Sequence, residues 1–286
     1  MRAVLARLNK KRLYRRHARK ANAEAWQKYA ALSAQERALI AATLSHFRPV
    51  ETGHPLVRCG PNQDGGYLLP DDLAGLTALY SPGVSDTTGF DLEMAESGLA
   101  CFLADGSVDR PSHLHPNMRF EKMMIGPAMA DGYMTLDSWV SRTAPSSGDL
   151  LMQMDIEGSE YDVLLCASEK LLSRFRIIVL EMHFIDRMLF GPDRDRLDRL
   201  FRHLARTHVL CHTHVNNVAA PVRIGKALVP PFVELTFLRL DRVSLDACRE
   251  AEYPHPLDVD NMPDLPPASA IPFWRSEVDD DRCKHS

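Results

Sequence analysis

Leu150-Leu151-Met152-Gln153-Met154-Asp155-Ile156-Glu157-Gly158-Ser159-Glu160-Tyr161-Asp162-Val163-Leu164-Leu165 changes character halfway along. The first five residues form an apolar run of the length of a buried strand. The run ends in two carboxylates, Asp155 and Glu157, one residue apart. Gly158 follows, then Ser159, a residue type that caps helices, ahead of Tyr161, Leu164 and Leu165 at helical spacing. Strand, acidic turn and helix in that order predict an open α/β sheet. Ligands of such sheets bind beyond the carboxyl ends of the strands, where these two acids stand. Capping or solvating the turn explains two acids at a buried strand end less well than a site does.

Working outward, more strands end in chemistry. Leu76–Tyr80 reads as a strand, and Ser81-Pro82-Gly83-Val84-Ser85-Asp86 as a small-residue turn. Thr87 or Thr88 is placed to cap a helix carrying Phe90, Leu92 and Met94, which Gly98 closes. A second strand, Leu99–Ala104, ends at Asp105. This is a nucleotide-binding βαβ unit in outline, with Asp105 placed to accept the ribose hydroxyls. The turn lacks G-x-G-x-x-G, and one glycine without a pyrophosphate cradle suits an adenosine that carries no diphosphate. Residues 117–126 give another short strand and Leu136–Val140 a short helix. Ile177–Leu180 is a buried strand that runs into Glu181-Met182-His183. Val209–His214 reads as a strand whose His212 and His214 share one face, and Phe232–Leu240 is the strongest strand of all. Arg58–Pro70 is rich in turn formers. Its Asp64-Gly65-Gly66 is either a hairpin turn or a loop that lets backbone approach a ligand.

The flanks differ from this middle. The 286 residues carry a net charge of −4. Nine Lys or Arg and no acid fall in residues 1–20, so the rest of the chain carries −13. A basic arm on an acidic body points to an anionic contact: an anionic membrane surface, a nucleic acid or another protein. Val4, Leu5, Leu8 and Leu13 make a weak helical stripe, so the arm is either an interfacial helix or a solvated tail. Residues 21–50 read as a helical cover, with a capping box at Ser33–Glu36. Residues 51–245 form the α/β domain. Residues 246–286, with six prolines from Pro254 to Pro272, form an extended tail that wraps the domain or frays. The arm has no apolar block of a secretory signal, and no run is long enough to span a bilayer. Six scattered cysteines without C-x-x-C suit free thiols. The localisation expected is cytoplasmic, with the arm allowing peripheral contact with the inner membrane face.

Met154–Tyr161 and Glu181-Met182-His183 resemble the FkbM-type methyltransferases, a branch of the S-adenosylmethionine-dependent class I enzymes. Asp64-Gly65-Gly66-Tyr67, Gly83-Val84 and the run from His212 to Asn217 resemble features of one subset of that family. The likeness runs from about Arg58 to Leu240. It implies a Rossmann-like fold: a seven-stranded, mainly parallel sheet with helices on both faces and the last strand, Phe232–Leu240, antiparallel. It also implies S-adenosylmethionine as cofactor, bound by Asp64, Gly83, Val84, Ser85, Asp105 and Asp155. The acceptor class it implies is a hydroxyl of a sugar, glycan or related natural product, with no specific nucleic-acid partner.

A sugar hydroxyl is a very weak acid, so its proton needs an acceptor as the methyl transfers. Either His183 acts as general base with Asp155 holding the cofactor, or Asp155, Glu181 and His183 bind Mg²⁺ or Mn²⁺ through a mixed oxygen and nitrogen set. The second version follows an analogy with catechol-type O-methyltransferases. Asn216-Asn217 after the paired histidines favour a substrate-facing, catalytic role for His214. Two rival classes remain at this level. One is a metal-dependent phosphoester hydrolase using Asp155, Glu157, His183, His212 and His214. The other is a catalytically silent scaffold tethered by its arm. Titration with S-adenosylmethionine separates the first reading from both.

Overall fold

The computed structural model describes residues 2–84, 88–244 and 249–275. Its frame is a sheet of β1 (Leu76–Pro82), β2 (Ala100–Ala104), β3 (Met118–Glu121), β4 (Asp149–Met154), β5 (Phe175–Met182), β6 (His208–Val215) and β7 (Val233–Arg239). The spatial order is β3-β2-β1-β4-β5-β7-β6. Neighbours from β3 to β5 pair in parallel, and β7 runs antiparallel to both β5 and β6. The order reverses between β1 and β4, which makes their carboxyl ends the switch point where a ligand crevice opens.

Both faces of the sheet are covered, which is why its central strands read as apolar runs. On one face Met152, Met154, Ile178, Leu180 and Phe237 pack under α4 (Leu136–Thr143), α5 (Glu160–Cys166) and α8 (Pro192–Leu204). Leu197, Leu200, Phe201 and Leu204 form the buried stripe of α8, at the spacing of one helical face. On the other face Leu79, Leu151, Ile177 and Val179 meet α3 (Gly89–Glu96) and a hairpin of Leu56–Cys59 with Tyr67–Pro70. Asp64-Gly65-Gly66 lies in the loop that joins the two strands of this hairpin. The loop folds back on itself so tightly that a Cβ on Gly66 would lie 1.9 Å from the Pro61 carbonyl oxygen.

Local details depart from the sequence reading. Ser33 and Glu36 form the expected capping box on α2 (Ala34–Leu44). Ser159 and Thr88 stand at N-cap positions but make no side-chain capping bond. At α5 the work is done by Glu160, whose Oε1 accepts from the N–H groups of Ile156 and Gly158 at 2.9 and 3.1 Å. The strand expected over 117–126 divides. β3 stops at Glu121, and Met124–Ile125 pairs with Tyr133–Met134. α1 (Arg2–Ala30) crosses the division at residue 20 as one helix, because charge changes there while the run of Ala, Leu, Arg and Lys without Gly or Pro does not. Among the described residues no helix is long and apolar enough to cross a membrane. Cys59, Cys101, Cys166 and Cys211 are unpaired; Cys248 and Cys283 lie outside the described residues.

Residues 249–275 wrap the domain without helix or strand, as a proline-rich segment must. Phe273 and Trp274 are buried in the core. Asp258 is the main clamp: His212 Nε2 lies 3.0 Å and His214 Nδ1 3.4 Å from its Oδ1. Burial opposes charge on His214, but Asp258 and Glu234 outweigh it and hold the imidazolium up to about 9. Burial likewise opposes ionisation of Asp258, yet its bonds to His212 and His214 hold it well below the usual carboxylate range. The signs set a window. The His214 contribution is complete below its ordinary 6.5 and lost as pH rises through about 9. The Asp258 contribution is complete above its ordinary 3.8 and lost only in strong acid. Amide exchange in residues 255–265 should therefore speed up between pH 6.5 and 9 more than exchange in β4. Equal acceleration in both would show that the clamp does not titrate.

Candidate active site

The carboxyl ends of β1, β2 and β4 meet in stitched turns. Asp155 N–H donates to Pro82 O at 3.2 Å and Gly83 N–H to Ala104 O at 2.9 Å. Gly83 has φ +85°, and a Cβ there would stand 1.6 Å from the Asp155 carbonyl oxygen. Only glycine lets the two turns close on each other. Asp105 follows β2 directly and is buried, with Oδ1 accepting from the Ser107 amide and hydroxyl at 2.7 and 2.6 Å. Val84 is buried in the apolar cluster that also holds Phe90. Ser85 lies outside the described residues.

A row of ionisable groups runs across the sheet from there. Met154 pairs with Leu180, which sets Asp155 beside Glu181; Glu181 pairs with Glu234, and Glu234 with His214. Burial raises the carboxyl of Asp155 to about 7, with His183 opposing the rise and the acids Glu157, Glu160 and Asp64 adding to it. Its Oδ1 is buried without a hydrogen-bond partner. Burial also drives Glu181 and Glu234 upward. Asp64 reaches over this row: single carboxylate oxygens of Asp64, Glu181 and Glu234 lie within 4.8 Å of one another. Asn261 of the tail donates to Glu234 at 2.6 Å and to Asp64 at 3.0 Å, and Asn216 donates to Glu181 at 2.9 Å. Beneath the row, Tyr67, Gln153 and Ser81 form a buried hydrogen-bonded chain.

His183 lies just past β5, only 4% of its side chain exposed. Its Nε2 faces Asp155 Oδ1 at 3.6 Å and Glu157 Oε2 at 3.3 Å. Its Nδ1 is 3.1 Å from Glu160 Oε1, an ion-pair distance off the hydrogen-bond axis. Burial lowers the imidazole pKa, but Glu160, Asp155 and Glu157 outweigh it and the net direction is up. Tyr161 Oη donates to the His183 carbonyl at 2.6 Å. The two turns that meet here hold the non-glycine residues with left-handed backbone among those described, Glu157 (φ 57°) and Phe184 (φ 60°). Such conformations cost of order 1–3 kcal/mol and cluster at functional sites.

Two expectations change. Asp155, Glu181 and His183 do not come together as one ligand set. Among the described residues the groups with metal-binding spacing are Asp155, Glu157 and His183, and separately Asp64, Glu181 and Glu234. The reason is that β5 ends at Met182: Glu181 stays on the sheet facing β7, while the chain swings His183 toward Glu160. The ligand set expected is therefore not the one assembled: Asp155 and His183 stay together with Glu157 in place of Glu181, and the Asp64 group is bridged by asparagine donors. His214 also leaves the His183 site. Its ring nitrogens face Asp258 and Asn261, at 3.4 and 3.1 Å, so it holds the tail. Glu160, Glu234, Gln153 and Tyr67 were missed. Glu160 carries a signal, a third acid at the helix start behind Asp155 and Glu157, and Tyr67 closes the Asp64-Gly65-Gly66-Tyr67 run; Glu234 and Gln153 are recognisable only from strand register.

Comparison with known proteins finds the methyltransferase FkbM domain over residues 133–206, which include Asp155, Glu160 and His183. No curated protein matches significantly. Two solved structures are similar at low identity. The Methanococcus jannaschii fibrillarin pre-rRNA processing protein has 9% identity and a TM-score of 0.35, covering 65% of this chain and 82% of its own. A mutant of the 16S rRNA (adenine(1408)-N(1))-methyltransferase from Catenulisporales acidiphilia has 13% identity and a TM-score of 0.30, covering 69% and 98%. The resemblance drawn from Met154–Tyr161 and Glu181–His183 is thus met by a family model: residues 133–206 match the methyltransferase FkbM domain, within a chain whose seven-stranded sheet has the class I methyltransferase order.

Proposed function

We propose that this protein is an S-adenosylmethionine-dependent O-methyltransferase whose acceptor is a hydroxyl of a sugar, glycan or related natural product. The observation that carries it is the convergence of Asp155 and His183 beyond neighbouring strands, next to the Gly83 turn. The donor set fits the cofactor. Asp155 has a buried oxygen without a hydrogen-bond partner, His183 Nε2 stands off at 3.6 Å, and burial raises the Asp155 carboxyl, so a donor group of the cofactor would satisfy it. Asp105 stands at the end of β2 for the ribose, and Gly83 keeps the turn between them free of a side chain. Held by these residues, S-adenosylmethionine would supply an electrophilic methyl group for transfer to the acceptor oxygen, its sulfonium leaving as a neutral thioether. The chain's own part is proton removal and charge placement. His183 receives the hydroxyl proton at Nε2, Glu160 supports the imidazolium that results, and burial excludes water. No step is assigned to a metal, because the expected ligands are divided between two clusters.

Titration calorimetry of the full chain with S-adenosylmethionine tests the reading, together with Asp105→Ala. The variant should bind the cofactor about 1.5–3 kcal/mol more weakly, the range for hydrogen bonds to a charged group. Unchanged affinity would remove Asp105 from the site, and no binding by the parent protein would end the methyltransferase reading.

A further inference from the structure

A cavity of about 420 Å³ lies between α1 and the turns that follow β5 and precede β7. Space is left there because α1 presents Ala18, Ala21 and Ala25 to it. The opposite wall includes Phe184 and Phe232, whose ring centroids are 5.7 Å apart and lie 5.9 and 5.3 Å from that of His183. One pair of rings therefore lines this cavity and packs against His183. The volume suits a compound of the size of a sugar phosphate.

The lining has a definite chemistry. Lys28 and Arg187 stand at the rim, each over an aromatic ring: Phe190 at 5.4 Å and Phe184 at 5.0 Å. A cation held over a ring face keeps its N–H groups available to an anion. The acid of the α1 rim, Glu24, faces Lys20 at 3.8 Å. Asp186, 9% exposed, also lines the cavity, and its Oδ1 is buried with no hydrogen-bond partner. A buried carboxylate oxygen in that state lacks a donor. Arg12, Arg15, Arg16 and Arg19 continue the positive charge outward along the same helix, a field that concentrates anions at the mouth.

We propose, building on the methyltransferase reading, that this cavity seats the methyl acceptor and that the acceptor carries an anionic group, a phosphate ester or a carboxylate, besides its hydroxyls. Lys28 and Arg187 hold the anion, a hydroxyl donates to Asp186, and the apolar face of the acceptor lies on Phe184 and Phe232. The reacting hydroxyl reaches His183 past the edges of those two rings. The basic arm then serves the active site as an electrostatic funnel.

The test is calorimetric titration of the full-length protein with three probes: glucose 6-phosphate, glucuronate and glucose. At least one anionic probe should bind about ten-fold or more tighter than glucose, the gain of one charge-assisted hydrogen bond, and the advantage should shrink in high salt. Binding of one anionic probe alone identifies the anion as phosphate or carboxylate. Lys28→Ala with Arg187→Ala, both exposed and safe for folding, should remove about ten-fold of that affinity. Ala21→Phe, which fills the cavity, should abolish probe binding and leave S-adenosylmethionine binding intact. Equal binding of all three probes, or no anionic probe binding to a protein that binds the cofactor, overturns the proposal. So does full probe affinity in the Lys28 and Arg187 double variant. A protein that binds the probes in this pattern but not S-adenosylmethionine refutes the methyltransferase reading and leaves the anion site standing.

Discussion

Replacing His183 by alanine should slow methyl transfer by about 10²–10⁴-fold, the range for loss of a general base, while S-adenosylmethionine binds as before. The asymmetry follows from when the proton moves. A hydroxyl in the ground state needs no base, so acceptor KM changes little and the loss falls on kcat. The surroundings of His183 also fix the direction of the pH profile. The imidazole must be neutral at Nε2 to accept a proton, and Glu160, Asp155 and Glu157 favour its charged form. Turnover should therefore rise with pH along a limb lying above the ordinary histidine value of 6.5. EDTA should leave the rate unchanged. A His183→Ala protein with normal kcat would remove the base, and a rate that vanishes in EDTA and returns with Mg²⁺ would restore a metal to the Asp155, Glu157 and His183 group.

Much of this site was legible in one dimension because it is built on strand ends. A buried parallel strand shows as an apolar run, and the residue where the run stops is the residue at the crevice; Asp105, Asp155 and Glu181 were found that way. The partners across the sheet were not. Glu234 lies inside the strongest strand in the chain, and nothing local distinguishes it from a solvated strand acid. Its place beside Glu181 is a matter of register between β5 and β7. His214 misled for the opposite reason. Its alternation with His212 does put both on one face, but residues 249–275 close over that face, and a coil segment has no periodicity to announce where it lands. The arm was read from charge, which marks its surroundings, while the helix beneath it follows from propensity and continues through residue 30. Its three pocket-facing alanines look like ordinary helix formers until Phe184 and Phe232 are placed opposite.

Glu160 is the residue whose replacement should do most damage without touching the acceptor. It is 0% exposed, and its Oε1 gathers the amides of Ile156 and Gly158 and faces His183 Nδ1. It thus ties the acidic turn, the start of α5 and the end of β5 to one oxygen. Glu160→Ala strands two backbone donors, at about 1–3 kcal/mol for each that stays buried, and releases the strained turn at Glu157. Chemical denaturation should show that loss, and poor folding of the variant would agree with it. Glu160→Gln separates structure from electrostatics. Its amide oxygen still accepts from both backbone groups, so stability should be largely kept, but the negative charge beside Nδ1 is gone. The imidazolium then loses the partner that most favours it, and the His183 pKa falls. The acid limb of the pH–rate profile should move to lower pH, and the plateau rate should drop because the imidazolium formed during transfer is less supported. A purely structural residue would change stability and leave the limb in place. Glu160→Gln with an unmoved limb and an unchanged plateau would therefore show that Glu160 holds the turn and does nothing for the base.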